Sequence, residues 1–227
     1  MNAIDPSSVK GIIFDLDGTL YHMEWFFRPL MWFLMFPHPL RLPRYLKERS
    51  RVAGVDLGSR EALFSLLCSG LAGKEHTSQE TIHQWIFNKF YPAFINIMAL
   101  QRRGRQHLNQ TLNRLHENSI RLAVLSDYHA VEERLRKLHI NLSSFDCMTS
   151  SENEGALKPS PRPFLQIAQQ WDLCASSVLV IGDREDTDGK AAKNAGMQFW
   201  LLSDKKLIKT GYDWKNTRRM LHSLCRT

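Results

Sequence analysis

Apolar positions along the 227-residue chain fall into two kinds of run. Short apolar or β-branched stretches that end in polar residues occur at 9–16, 120–126, 145–149, 178–181 and 198–202, each the length of a buried strand. Between the later ones lie patterns of helical period, at 106–117, at 130–138, at 161–171 with prolines at its start, and at 187–195, which closes on Gly196. Strand and helix alternate, which predicts an α/β fold: a doubly wound parallel sheet with helices on both faces and ligands bound beyond the carboxyl ends of the strands.

The stretch between the first two strand-like runs breaks this alternation. Residues 21–105 carry helical periodicity and no convincing strand, so the expected organisation is an α/β core from 1–20 and 106–227 with a helical unit at 21–105. Candidate helices there are 61–71 and 79–98, the second with Ile82, Ile86, Phe90 and Phe94 at four-residue steps, a stripe suited to core packing. The segment 25–37 is unusually aromatic and runs into the basic stretch 41–51. It admits three readings: the unit's own core, an apolar lining for part of a substrate, or a patch for a membrane surface or partner.

A net charge of +7 favours anionic ligands without choosing among them. The basic residues are scattered and lack an aromatic RNA-binding signature, so no nucleic-acid partner is expected. Four separated cysteines without a Cys-x-x-Cys pair, and an N-terminus without a basic and apolar leader, point to a reduced, cytoplasmic setting. The most membrane-like run, 25–36, is interrupted by Arg28 and Pro29 and falls short of the roughly 20 apolar residues of a span, so no transmembrane segment is expected.

The candidate chemistry sits at the strand ends. The run Gly11-Ile12-Ile13-Phe14 empties into Asp15-Leu16-Asp17-Gly18-Thr19, two carboxylates two residues apart before a glycine turn. One carboxylate can attack phosphorus and a second can protonate the leaving oxygen and then activate water; the plainer account is a strand end followed by a turn. A second strand ends in Ser126-Asp127, a hydroxyl with following amides that can hold a phosphoryl oxygen. Lys158-Pro159 places a lysine in a stiff segment, where it can neutralise an aspartate and a transferring phosphoryl group. The run 178–182 leads into Asp183, Arg184, Glu185, Asp186 and Asp188, an acidic cluster suited to a hard cation such as Mg2+. Competing signatures fail: Cys68 and Lys74 lack the arginine of a cysteine-phosphatase loop, Gly73-Lys74 lacks the rest of a nucleotide loop, and no His-Glu-x-x-His occurs. His22 is the histidine nearest the Asp17 turn, with a surface or packing role as its plainer account.

In order, Asp-x-Asp-Gly-Thr, Ser126, Lys158-Pro159, Gly182-Asp183 with Asp188, and the segment 191–197 resemble the haloacid dehalogenase-like hydrolase superfamily. The resemblance implies a Rossmann-like core with a helical cap inserted after the first strand. It also implies a magnesium-dependent phosphatase acting on a small phosphorylated substrate through an aspartyl-phosphate. In that scheme Asp15 is nucleophile and metal ligand, and Asp17 is general acid and base and lends its backbone carbonyl to the metal. Ser126 holds the phosphoryl group, Lys158 stabilises charge, Asp183 ligates the metal and Asp188 supports it, with Glu185 and Asp186 as rivals for the last role. Asp17 argues for phosphoryl chemistry, since the true dehalogenases lack it. A phosphomutase, or a non-catalytic binding protein using the aromatic segment, is the alternative, and the role of Arg184 stays open.

Overall fold

The structure, a computed structural model, describes residues 4–101, 104–203 and 211–226. Five strands form one parallel sheet: β1 (Gly11–Phe14), β2 (Arg121–Ser126), β3 (Cys147–Ser150), β4 (Val178–Gly182) and β5 (Gln198–Leu201), in the order β3-β2-β1-β4-β5. The chain winds outward from the central β1 to β2 and β3, then crosses back to β4 and β5. The crossovers carry α6 (Leu108–Glu117), α7 (Val131–Lys137), α8 (Arg162–Gln170) and α9 (Lys190–Asn194), and α10 (Trp214–Ser223) follows β5.

β1 and β4 are buried along their whole length because both sheet faces are covered. Alternation sorts the side chains: Ile12, Phe14, Leu122, Val124, Leu179 and Ile181 point into one core, while Ile13, Ala123, Leu125 and Val180 point into another, against Phe164 and Ile167 of α8 and Ala191 and Ala192 of α9.

Between β1 and β2 the described residues form α1 (Phe27–Leu34), α2 (Arg41–Val52), α3 (Arg60–Glu75), α4 (Gln79–Trp85) and α5 (Tyr91–Met98), with no strand. Their buried side chains belong to the same apolar cluster as the first sheet face, so the helical insertion packs continuously onto the α/β core. Ser59 and Ser78 start α3 and α4 by accepting from the backbone N–H groups of Ala62 and Thr81.

Two expected helices differ in the structure. The helix expected at 79–98 is interrupted by a π turn at Ile86–Phe90. Pro92 has no N–H to continue the α-helical ladder, and the wider turn absorbs the drift that four-residue steps accumulate on a 3.6-residue helix, so Ile82, Ile86, Phe90 and Phe94 all stay buried. The helix expected from 187 begins at Lys190, after a π turn over Glu185–Gly189. Helices α1, α2 and α10 were not anticipated. In α2 the inward positions include Arg41, Glu48 and Arg49 beside Leu42, Tyr45 and Val52, so buried ion pairs erase the apolar pattern that would betray the helix.

Candidate active site

The sheet order reverses between β1 and β4, which places the ligand crevice beyond their carboxyl ends. β1 delivers Asp15 there and β4 delivers Asp183, while the following π turn turns Asp188 back toward them. Carboxylate oxygens of Asp15, Asp183 and Asp188 all lie within 4.8 Å of one another. Gly18, at φ +86°, makes this approach possible, since a Cβ there would collide with the Asp183 carboxylate.

Lys158 enters from the loop after β3 and is nearly fully buried. Its Nζ donates to Asp15 Oδ1 and to Asp188 Oδ1, each at 2.8 Å. Burial alone would discharge this lysine, yet Asp15 and Asp188 outweigh it and hold the ammonium above its usual range. Thr19 Oγ1 donates to the other Asp15 oxygen at 2.9 Å. Burial pushes the Asp15 carboxyl up to about 7 despite Lys158, and burial with the Asp15 charge pushes Asp183 to about 7 as well. Asp188 is also raised, chiefly by burial. One lysine thus faces three carboxylates, and the surplus of hard, anionic oxygen suits a divalent cation such as Mg2+.

Asp17 stands two residues on but faces other partners. Its carboxylate accepts from Tyr21 Oη at 2.8 Å, from Ser126 Oγ at 3.1 Å and from Arg134 Nη2. Arg134, fully buried on α7, also donates to Ser126 Oγ at 3.0 Å, and its guanidinium lies 4.4 Å from the ring centre of Phe94 on α5. The N–H of Tyr128 donates to the same Ser126 oxygen at 3.1 Å. Both acceptor positions of that hydroxyl are therefore taken, and its one proton, now on Asp17, is what it can offer a phosphoryl oxygen.

Six expected residues are thus placed in two adjoining groups: Asp15, Lys158, Asp183 and Asp188 in one, Asp17 and Ser126 in the other. The Asp17 side chain lies outside the acidic cluster; the expectation for the metal concerned its backbone carbonyl. Among the rivals, Asp188 is buried against Lys158, whereas Asp186 is exposed and takes both hydrogen bonds of Arg184, at 3.1 and 2.6 Å. Glu185 is exposed too. His22 is exposed, with Nε2 3.1 Å from Arg105 Nη1.

Several contributors escaped sequence reasoning. Arg134 reads as an ordinary charged helix position in 130–138, and only its burial exposes its part. Tyr21, four residues after Asp17, looks like the start of the insertion. Arg105, on the return from the insertion, donates through Nε to the Thr19 carbonyl at 2.5 Å and through Nη2 to that of Gly18 at 2.8 Å, bracing the turn that carries both aspartates. Asp127 Oδ1 accepts from the backbone N–H of Lys158 at 2.9 Å and from Ser151 Oγ at 2.5 Å, fixing the lysine loop.

The insertion is fastened over this crevice. Arg49 of α2 donates to the Asp127 carbonyl at 2.6 Å and pairs with the fully buried Glu152, which also accepts from Tyr91 Oη at 2.5 Å. Backbone bonds from Gly54 to Leu157 and from Leu57 to Gly155, each 3.0 Å, tie the loop between α2 and α3 to the lysine loop.

A profile of haloacid dehalogenase-like hydrolases matches residues 9–196. The glyceraldehyde 3-phosphate phosphatase of Methanocaldococcus jannaschii is 27% identical over 202 residues, spanning 83% of this chain and 82% of that protein. The 2-haloacid dehalogenase of Pseudomonas syringae pv. Tomato DC3000 superposes with a TM-score of 0.61 at 20% identity, covering 95% of this chain and 99% of that one. The magnesium-bound HAD-hydrolase YfnB of Bacillus subtilis superposes with a TM-score of 0.63 at 14% identity, covering 94% and 99%. With the family match spanning residues 9–196, on a sheet whose β1 and β4 ends gather the acidic residues and Lys158, the chain belongs to the haloacid dehalogenase-like hydrolase family.

Proposed function

We propose that the protein is a magnesium-dependent phosphatase that hydrolyses a small phosphomonoester through an aspartyl-phosphate on Asp15. The observation that carries this reading is the convergence of Asp15, Asp183 and Asp188 within 4.8 Å around a buried Lys158. Asp15, Asp183 and the Asp17 carbonyl would hold Mg2+, with Asp188 supporting it from beside Lys158. When bound, the cation offsets repulsion between the phosphate and Asp15 and polarises a phosphoryl oxygen.

In the first half-reaction Asp15 attacks phosphorus and the bond to the leaving oxygen breaks, with a proton delivered from Asp17. In the second, Asp17 takes a proton from water, which attacks phosphorus and frees Asp15. Lys158 neutralises charge that moves between Asp15 and the phosphoryl group, and Ser126 turns its proton from Asp17 to a phosphoryl oxygen. Arg134 and Tyr21 hold Asp17 beside Ser126 and so act as positioning residues. Residues 21–105 serve as a cap that opens for exchange and closes to exclude water.

A phosphatase rather than a mutase is favoured by the glyceraldehyde 3-phosphate phosphatase of Methanocaldococcus jannaschii, whose named substrate, a small sugar phosphate, also supports the substrate class. The test is phosphate release from an aryl phosphate and a panel of metabolite phosphates with and without magnesium, using wild type and Asp15→Asn. Magnesium-dependent release lost in the variant supports the reading; equal release by both proteins refutes it.

A further inference from the structure

The aromatic segment before α2 divides between two environments. Phe27, Met31 and Met35, spaced four apart, are buried against the insertion. Trp32 and Phe33 fall on the opposite side of the helix, about 100° apart at 3.6 residues per turn, and Phe36 follows in the turn after its C-terminus. They are 53%, 69% and 71% exposed, and Trp25 just before the helix is 83% exposed. Among the described residues, seven of the thirteen large apolar side chains left in solvent lie between positions 23 and 40. Core packing accounts for the inner stripe alone.

Charge says what covers the outer one. From 25 to 47 the sequence holds Arg28, Arg41, Arg44 and Lys47 and no acidic residue. Arg41 is buried on Glu75 at 2.6 Å and the exposed Arg44 lies 3.5 Å from the same carboxylate, but Arg28 and Lys47 are exposed, and Lys89 donates to the Phe36 carbonyl at 2.5 Å. Indole and phenyl rings with Arg28 on the same helix and Lys89 at its end match the boundary of a lipid bilayer, where rings enter the headgroup layer and cations meet anionic headgroups. A second copy of this chain fits less well, because a two-fold contact through this patch would set its cations against one another.

We propose that the outer face of α1, with Arg28 and Lys89 beside it, is a docking surface for an anionic phospholipid bilayer, on which the protein lies as a peripheral protein. No helix of the described residues is long and apolar enough to cross the membrane, so the attachment is interfacial. The inference is independent of the catalytic reading, since none of these side chains belongs to the site around Asp15.

Co-sedimentation of the full chain with vesicles of phosphatidylcholine and phosphatidylglycerol, against phosphatidylcholine alone, tests it. Binding should favour the anionic vesicles, fall with added salt, and drop at least about tenfold in Trp32→Ser/Phe33→Ser, with thermal melting unchanged. Arg28→Glu/Lys47→Glu, which leaves the rings in place, should weaken binding to anionic vesicles alone. Equal binding to neutral vesicles, no binding to either, or undiminished binding by both variants overturns the proposal. So does light scattering that finds a dimer which the serine variant turns into a monomer.

Discussion

Asp15 and Asp17 are the same residue type two positions apart, yet the fold gives them opposite surroundings. Asp15 shares one lysine with Asp188 in a buried group where carboxylates outnumber cations, and burial lifts it to about 7. Asp17 meets an arginine and two hydroxyl groups, and burial does not discharge that arginine, because Asp17 and Tyr21 hold it charged. The first group is short of positive charge and fits a cation and a phosphate in turn; the second is already matched. In the proposed mechanism, environment, rather than residue type, separates the nucleophile from the proton-transfer group.

The comparison breaks most visibly at Lys158. Lys158→Met leaves Asp15 and Asp188 buried together without a cation, with an expected stability loss of about 3 kcal/mol near neutral pH, read as a lowered unfolding midpoint in denaturant. Acid should reduce that loss, because protonating the two carboxyls removes their repulsion.

Arg134→Met probes the other side. It frees Asp17 and one acceptor position of Ser126, and kcat should fall about a hundredfold with a smaller change in KM. Arg134→Lys, which restores charge without the fork, should recover part of kcat. A variant that changed KM alone would place Arg134 in substrate binding instead.

The acidic surplus can be sharpened by pH. Asp15 and Asp183 stand at about 7 in the folded protein without cation, against an ordinary value of 3.8. Because the folded values are raised, their contribution to stability is fully present below about 3.8 and is lost as pH rises through about 7. Cation binding needs the carboxylates, so it should strengthen over the same window, by about tenfold per pH unit for each proton released. Melting of the protein with and without magnesium, from pH 5 to 8, reads both signs. The smallest effect is expected at Arg184→Ala, which removes an exposed pair with Asp186 and should change stability by less than about 0.5 kcal/mol.

Much of this was legible in the sequence, for a physical reason. Buried parallel strands need continuous apolar runs, and their carboxyl ends are where polar residues can gather, so Asp15, Ser126 and Asp183 could be placed from pattern alone. Asp188 could be singled out over Glu185 and Asp186 only once the π turn was known, since it sets which acid turns inward. Arg134 and Arg49 were hidden because charge on a helix is ordinarily solvated, and a buried guanidinium leaves no trace in composition or period. The aromatic segment was ambiguous because one helix carries a core stripe and an exposed face at once, and together they read as uniformly apolar.

The central claim is a covalent phosphoryl group on Asp15, and the most direct measurement is to trap it. Asp17→Asn should still accept a phosphoryl group from p-nitrophenyl phosphate in magnesium, whose leaving group needs little protonation, but should be slow to hydrolyse it. Acid quench followed by peptide mass spectrometry should find one phosphoryl group on Asp15, and none in Asp15→Asn. An unmodified Asp15 in the trapping variant, together with turnover that persists in Asp15→Asn, would contradict the account.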